Sequence, residues 1–167
     1  MAVWVLEDDC LAPSARLIVN YVGPNPFRVY KKTRALLREI FEVESKDLWE
    51  RDFRWDESGD PRGFYARIYV DKGMDDKSGV FCEVILEGKQ PSDPAKEGKL
   101  KITINARLVT RWNLDTAFKQ LPFYRGFIWI YMKTLYRDVR RGYLLRCNRM
   151  LEELWTEFRK FLNMPRP

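Results

Sequence analysis

Histidine is absent from all 167 residues. That excludes histidine-based triads, imidazole acid–base chemistry and His-containing zinc sites. Cysteine is scarce: Cys10, Cys82 and Cys147 lie far apart, without C-x-x-C spacing. The expectation is three reduced thiols in a cytoplasmic protein. The glycines form neither a phosphate-binding loop nor a dinucleotide fingerprint, and no G-x-S-x-G elbow occurs. No uncharged apolar run reaches the roughly 18 residues a membrane span needs. "MAVWVLEDDC" lacks a basic n-region and turns acidic, so no secretory signal is expected. These absences argue against hydrolase or transferase activity and imply no cofactor and no metal. They leave open an acid–base reaction on carboxylates or tyrosines. Asn and Gln are sparse beside Lys, Arg and Glu, a balance that leans towards a thermophilic source.

What is present is apolar and charged. The hydrophobic fraction is 46% and the charged fraction 32%, which marks a globular chain with enough length for one core. The net charge of +6 is unevenly placed: residues 115–167 hold 11 basic and 5 acidic residues, while residues 1–114 balance at 19 each. No internal repeat or composition shift divides the chain, so one α+β domain over 1–167 is expected.

The periodicity of the sequence assigns the elements. "ARLIVNYVG" is a β-type run, with Val3 to Leu6 a possible strand before it. In "GPNPF", Asn25 is placed to cap a helix and Pro26 to occupy its first turn. Phe27, Tyr30, Leu37, Ile40 and Phe41 then recur at helical spacing, predicting a helix over Pro26 to Glu42. From residue 48 the period changes to two. Trp49, Arg51, Phe53 and Trp55 share one predicted strand face, opposite Leu48, Glu50, Asp52 and Arg54. Further apolar faces follow: Phe64, Ala66, Ile68 and Val70; then Val80, Cys82, Val84 and Leu86; then Leu100, Ile102, Ile104, Ala106 and Leu108. "SGDPRG" and "KGMDDKSG" are turns, and "KQPSDPAKEG" is a hairpin tip. Short connections make the strands antiparallel neighbours. The remainder is helical, with one stripe of Ile128, Met132, Leu135, Val139 and Gly142 and a second of Leu144, Cys147, Leu151, Leu154, Phe158 and Leu162. The phase slips near Arg140 to Gly142, which predicts a kink or break there. The expected fold is α+β: an antiparallel sheet of five or six strands against a long, kinked C-terminal helix.

That order, with "GPNP" before the first helix and "CNRMLEELWTEFRKFL" in the last, resembles the helix-grip fold of the START-like (polyketide cyclase and lipid-transfer) superfamily. The resemblance is one of topology, over about residues 15 to 163. The chain has one helix after its first strand where many members have two, and fewer later strands. The resemblance implies a pocket for an apolar ligand between sheet and helix, and no particular reaction.

Among candidate sites, Arg51 stands out because it falls between Trp49 and Phe53 on an aromatic face. A guanidinium there either fixes a ligand's carboxylate or phosphate or lies along the strand edge with its head in solvent. In the first reading Trp49, Phe53 and Trp55 form the wall of a site and Arg51 its polar anchor. The acid pairs Asp8–Asp9, Asp56–Glu57 and Asp75–Asp76 read as solvated turns rather than cation sites. Glu50 and Asp52 share a predicted face as possible paired carboxylates, without a substrate position beside them. Cys147 has basic neighbours, Arg146 and Arg149, of the kind that favours a reactive thiol, but it falls on the apolar stripe as a core residue does. Lys133, Arg137, Arg140 and Arg141 are spaced to make a basic helix face, and tyrosines and Trp129 are interleaved with them. Such a face suits nucleic acid, a lipid headgroup layer or plain solvation.

The leading expectation is therefore non-catalytic binding of an apolar or amphipathic small molecule between sheet and C-terminal helix. The alternative is a nucleic-acid or acidic-partner binding module that uses the basic helix. A structural, oligomer-forming protein without a pocket is the third reading.

Overall fold

Among the described residues, six strands form one antiparallel sheet: β1 (Ala2–Asp9), β2 (Leu17–Pro24), β3 (Leu48–Asp56), β4 (Arg62–Gly73), β5 (Ser78–Gln90) and β6 (Glu97–Leu114). Two α-helices, α1 (Arg28–Phe41) and α2 (Pro122–Phe161), accompany it there, with short 3-10 turns at Ser45–Asp47 and Phe118–Gln120. The computed structural model describes residues 2–165. The arrangement is α+β and consistent with a helix-grip-like fold. The strand order is β1-β6-β5-β4-β3, and β2 also pairs with β6. At 18 residues, β6 is long enough to pair with β2 over its first half (Leu17 opposite Ile104) and with β1 over its second (Asp9 opposite Arg107). β1 and β2 therefore lie end to end along one edge, separated by the segment 10–16. The β4–β5 and β5–β6 connections are hairpins, as the turn chemistry predicts.

The period-two pattern held on the three central strands. Ala66, Ile68, Val80, Cys82, Val84, Leu86, Ile102, Ile104 and Leu108 all point to one face and are buried there. Onto that face pack Leu37 and Phe41 of α1 and Leu151, Leu154 and Phe158 of α2. Each such side chain contributes about 1.5–3 kcal/mol of transfer free energy. These side chains fill the interval between sheet and helices, where the sequence placed a ligand.

Three expectations are corrected locally. Asn25 does not cap α1: it adopts a left-handed conformation (φ 47°), and the Phe27 N–H is instead taken by the Gln90 side chain at 3.2 Å. Of the kink or break expected at Arg140 to Gly142, the break does not occur: the C-terminal helix runs as a single element from Pro122 to Phe161. Its buried stripe follows a different phase from the expected one. Ile128 and Met132 are buried as expected, but Leu135 and Val139 are 72% and 42% exposed, and Tyr136 is buried in their place at 7%. Spacing by four (128, 132, 136, 140) then joins Tyr143 and Cys147 with no slip. Finally, Cys10 and Cys147 form a disulfide with 5.9 Å between their Cα atoms, and Cys82 alone is free. This corrects the expectation of three reduced thiols, and with it the cysteine argument for a cytoplasmic site. Burial raises the Cys82 thiol pKa far above its ordinary value.

A polar cluster pins the middle of α2 to the β4–β5 turn. The Tyr136 hydroxyl donates to the Asp75 carboxylate at 2.5 Å and lies 2.8 Å from Ser78 Oγ, which is 2.9 Å from Thr110 Oγ1. Tyr143 donates to the same carboxylate at 3.0 Å. Burial, then the bond to Asp75, pushes the Tyr136 phenol up to about 12. Burial acts to raise the Asp75 carboxyl, but its donors (Tyr136, the Lys77 and Ser78 N–H groups, Tyr143) together hold it below the usual carboxylate range. Asp75 is thus a turn residue, as expected, with its carboxylate engaged.

Candidate ligand groove on the open face of the sheet

The face of the sheet away from the helices carries the candidate site, and a β-bulge shapes it. In the β3–β4 ladder Glu50 lies opposite Ile68 and Asp52 opposite Arg67, so Arg51 is the extra residue. The bulge breaks the alternation the sequence predicted. Leu48, Glu50, Phe53 and Trp55 face the helices, while Trp49, Arg51, Asp52 and Arg54 face the open side. The four predicted ligand residues are therefore divided. Phe53 and Trp55 pack under the start of α1: Phe53 lies 5.1 Å from the Tyr30 ring, and Trp55 lies 4.8 Å from Phe27 and 6.3 Å from Phe64. Trp49 and Arg51 remain together on the open face. The predicted pair Glu50 and Asp52 is split as well. Glu50 accepts from the Tyr30 hydroxyl at 2.7 Å, and Asp52 pairs with Arg54 at 2.8 Å.

Sequence reasoning missed the neighbours that complete this site, because they come from other strands. Tyr69 of β4 stacks on Trp49 (5.9 Å, interplanar angle 22°), and Phe81 of β5 lies 5.1 Å from Tyr69 and 6.1 Å from Trp49. The three rings form an aromatic shelf. Arginines flank it: the Arg107 guanidinium sits 5.3 Å above Phe81 and that of Arg67 lies 5.9 Å from Tyr69. The signal was present in the outward alternation of "FYARIYVD" and "VFCEVILEG", but strand order was needed to join the rings.

The charges of the site are mostly matched. Glu83 receives Arg67 at 2.7 Å and Asn105 at 3.0 Å. Arg107 meets Glu7 at 3.1 Å. Burial, then the hydrogen bond to Glu83, raises the Tyr69 phenol pKa, while the hydrogen bond from Arg51 acts in the opposite direction. Among the described residues, Arg51 has no carboxylate within ion-pair distance. Arg51, Tyr69, Phe81, Glu83, Asn105 and Arg107 line a groove of about 420 Å³, closed at one end by Glu7 to Asp9 and Ala15. That volume falls within the range of small-molecule sites.

The basic helix face is also only partly assembled. Arg140 is withdrawn from it by an ion pair with Asp8 at the sheet. Lys133 lies over the Trp129 ring at 4.7 Å. Lys133, Arg137 and Arg141 remain exposed at spacings of four, so three of the four predicted residues share a stripe. Asp8 is thus half of an ion pair, and Asp9 Oδ1 accepts the Leu11 N–H at 2.8 Å. No group of three or more metal-ligating side chains occurs among the described residues, and no helix there is long and apolar enough to cross a membrane.

No family model and no curated protein matches the chain. Two solved structures show a faint likeness. One is the Mll3558 protein from Rhizobium loti, 12% identical, covering 89% of this chain and 99% of its own, with a TM-score of 0.21. The other is an uncharacterised protein from Rhizobium leguminosarum, 9% identical, covering 92% and 99%, with a TM-score of 0.20. Likenesses of that size carry no argument about fold or function.

Proposed function

We propose that the protein binds a small amphipathic molecule with a planar apolar part and an anionic group, in the groove on the open face of the sheet. The binding is non-catalytic. Phe81 and the groove edge of Tyr69, on which Trp49 stacks, receive the planar part, and Arg51 receives the carboxylate or phosphate. The observation that carries the reading is the bulge, which presents a guanidinium without an acidic partner beside a three-ring shelf. A charge-assisted pair with an anion is about twice as strong as a neutral hydrogen bond, and shelf and anchor act on different parts of one ligand. The helix-grip resemblance implied a ligand between sheet and helix. That interval is packed, so the ligand is assigned to the opposite face and START-like membership is not required.

The test is titration with a panel of aromatic carboxylates and aryl phosphates, followed by intrinsic tryptophan fluorescence and calorimetry. Arg51→Leu is expected to weaken the best ligand by about ten-fold or more, from the loss of about 1.5–3 kcal/mol for a charged hydrogen bond, while the melting temperature is retained. Equal affinity in the wild type and the variant refutes the anchor.

A further inference from the structure

The first half of α2 is apolar on two sides, and the sheet covers only one. Ile128, Met132 and Tyr136 are buried against Trp4, Leu6, Trp112 and Leu114. On the opposite side Phe123, Phe127 and Ile130 recur at i, i+4 and i+7 and are 84%, 63% and 54% exposed. The preceding turn adds the exposed Phe118 and Leu121. Beside this half-helix, Val3, Trp4, Leu114 and Arg125 line a crevice of about 280 Å³. Isolated exposed apolar residues are ordinary, but a contiguous stripe of aromatic side chains marks a contact surface.

The surrounding charge identifies what it contacts. Residues 115–141 carry six basic residues against two acidic ones, Asp115 and Asp138. Asp115 is matched by Lys119 at 2.6 Å. Arg125, Lys133, Arg137 and Arg141 are exposed along the same half-helix. A second copy of the chain would bring two such cationic borders together, which is repulsive. An anionic surface complements them. Exposed Phe and Ile side chains flanked by Lys and Arg, with Trp129 at the border, match the composition of helices that lie in the headgroup layer of a bilayer.

We infer that the first half of α2 docks the protein on an anionic lipid surface, lying parallel to it, with Phe123, Phe127 and Ile130 inserted and the basic residues at the phosphates. This surface lies on the opposite side of the molecule from the ligand groove and does not depend on it.

The experiment is co-sedimentation of the full chain with vesicles of phosphatidylcholine alone and of phosphatidylcholine with 30% phosphatidylserine, at low and high salt. The wild type is expected to bind the anionic vesicles, with partitioning that drops several-fold as salt rises, because surface attraction is screened beyond about 10 Å. Phe123→Ser with Phe127→Ser should lower partitioning by about ten-fold or more without lowering the melting temperature, since neither ring is buried. Lys133→Glu with Arg137→Glu should abolish the preference for anionic vesicles. Absence of binding, equal binding to both vesicle types, or a Phe127-dependent dimer in sedimentation velocity overturns the inference; the last assigns the stripe to a second copy.

Discussion

Tyr136→Phe removes one hydroxyl and, with it, the link between the middle of α2 and the β4–β5 turn. The ring stays, so the packing against Trp4, Leu6 and Trp112 should persist. The hydroxyl donates to Asp75 at 2.5 Å and lies 2.8 Å from Ser78 Oγ, which is buried. A hydrogen bond to a charged group contributes about 1.5–3 kcal/mol. Asp75 is exposed and keeps three other donors, so solvent and the remaining bonds reduce that figure. Loss of about 1–2 kcal/mol is expected in urea unfolding at pH 7. The pH dependence identifies the cause. The folded Asp75 pKa lies below its unfolded value, so its contribution is present above the unfolded value and is lost as pH falls through the folded one. The gap between wild type and variant should therefore narrow below about pH 4, where the unfolded carboxyl begins to protonate. On the alkaline side the sign reverses. Tyr136 is raised to about 12, so its contribution is complete below the ordinary phenol pKa of about 10 and is lost as pH rises through the folded value. A gap that is constant from pH 7 to pH 2.5, or one below 0.3 kcal/mol by the error of such measurements at about a tenth of ΔG, would refute the account of this cluster.

Three further perturbations test other parts of the structure. Reduction of Cys10–Cys147, or Cys147→Ser, opens a loop of sequence separation 137, and a loss of about 4–5 kcal/mol is expected from loop-closure entropy, measured by denaturant unfolding with and without reductant; no effect would mean the thiols are not joined. Phe158→Ala empties a fully buried position between sheet and α2, and calorimetry should show a loss of about 3–5 kcal/mol. Deleting Arg51 leaves Glu50 opposite Ile68 and Asp52 opposite Arg67 in a regular ladder, so the circular dichroism spectrum and cooperative unfolding should survive while ligand affinity falls as it does in Arg51→Leu.

The elements were legible where one physical requirement acted over many residues. A sheet half covered by helices must alternate, and β4, β5 and β6 did so through Phe64 to Val70, Val80 to Leu86 and Leu100 to Leu108. The site was less legible because it rests on a departure from that rule. Trp49, Arg51, Phe53 and Trp55 alternate perfectly in sequence, yet the bulge at Arg51 sends the first two to one face and the last two to the other. Nothing in "WERDFRWD" marks the extra residue, since a bulge of this kind needs no glycine. The phase of α2 was misjudged for a related reason. Leu135 and Val139 are more apolar than Tyr136 and Arg140, but the hydroxyl finds Asp75 and the guanidinium finds Asp8, so the polar pair turns inward. The disulfide was hidden by topology. Only the pairing of β1 and β2 along β6 brings Cys10 beside the helix that carries Cys147.

The central claim is that the open face, and not the sheet–helix interval, receives the ligand. Backbone and side-chain NMR shift mapping with the best aromatic carboxylate from the titration panel tests this most directly. Perturbations are expected to cluster on Trp49, Arg51, Tyr69, Phe81, Asn105 and Arg107. Perturbations centred on Leu37, Ile68 and Phe158, between the sheet and the helices, would contradict it.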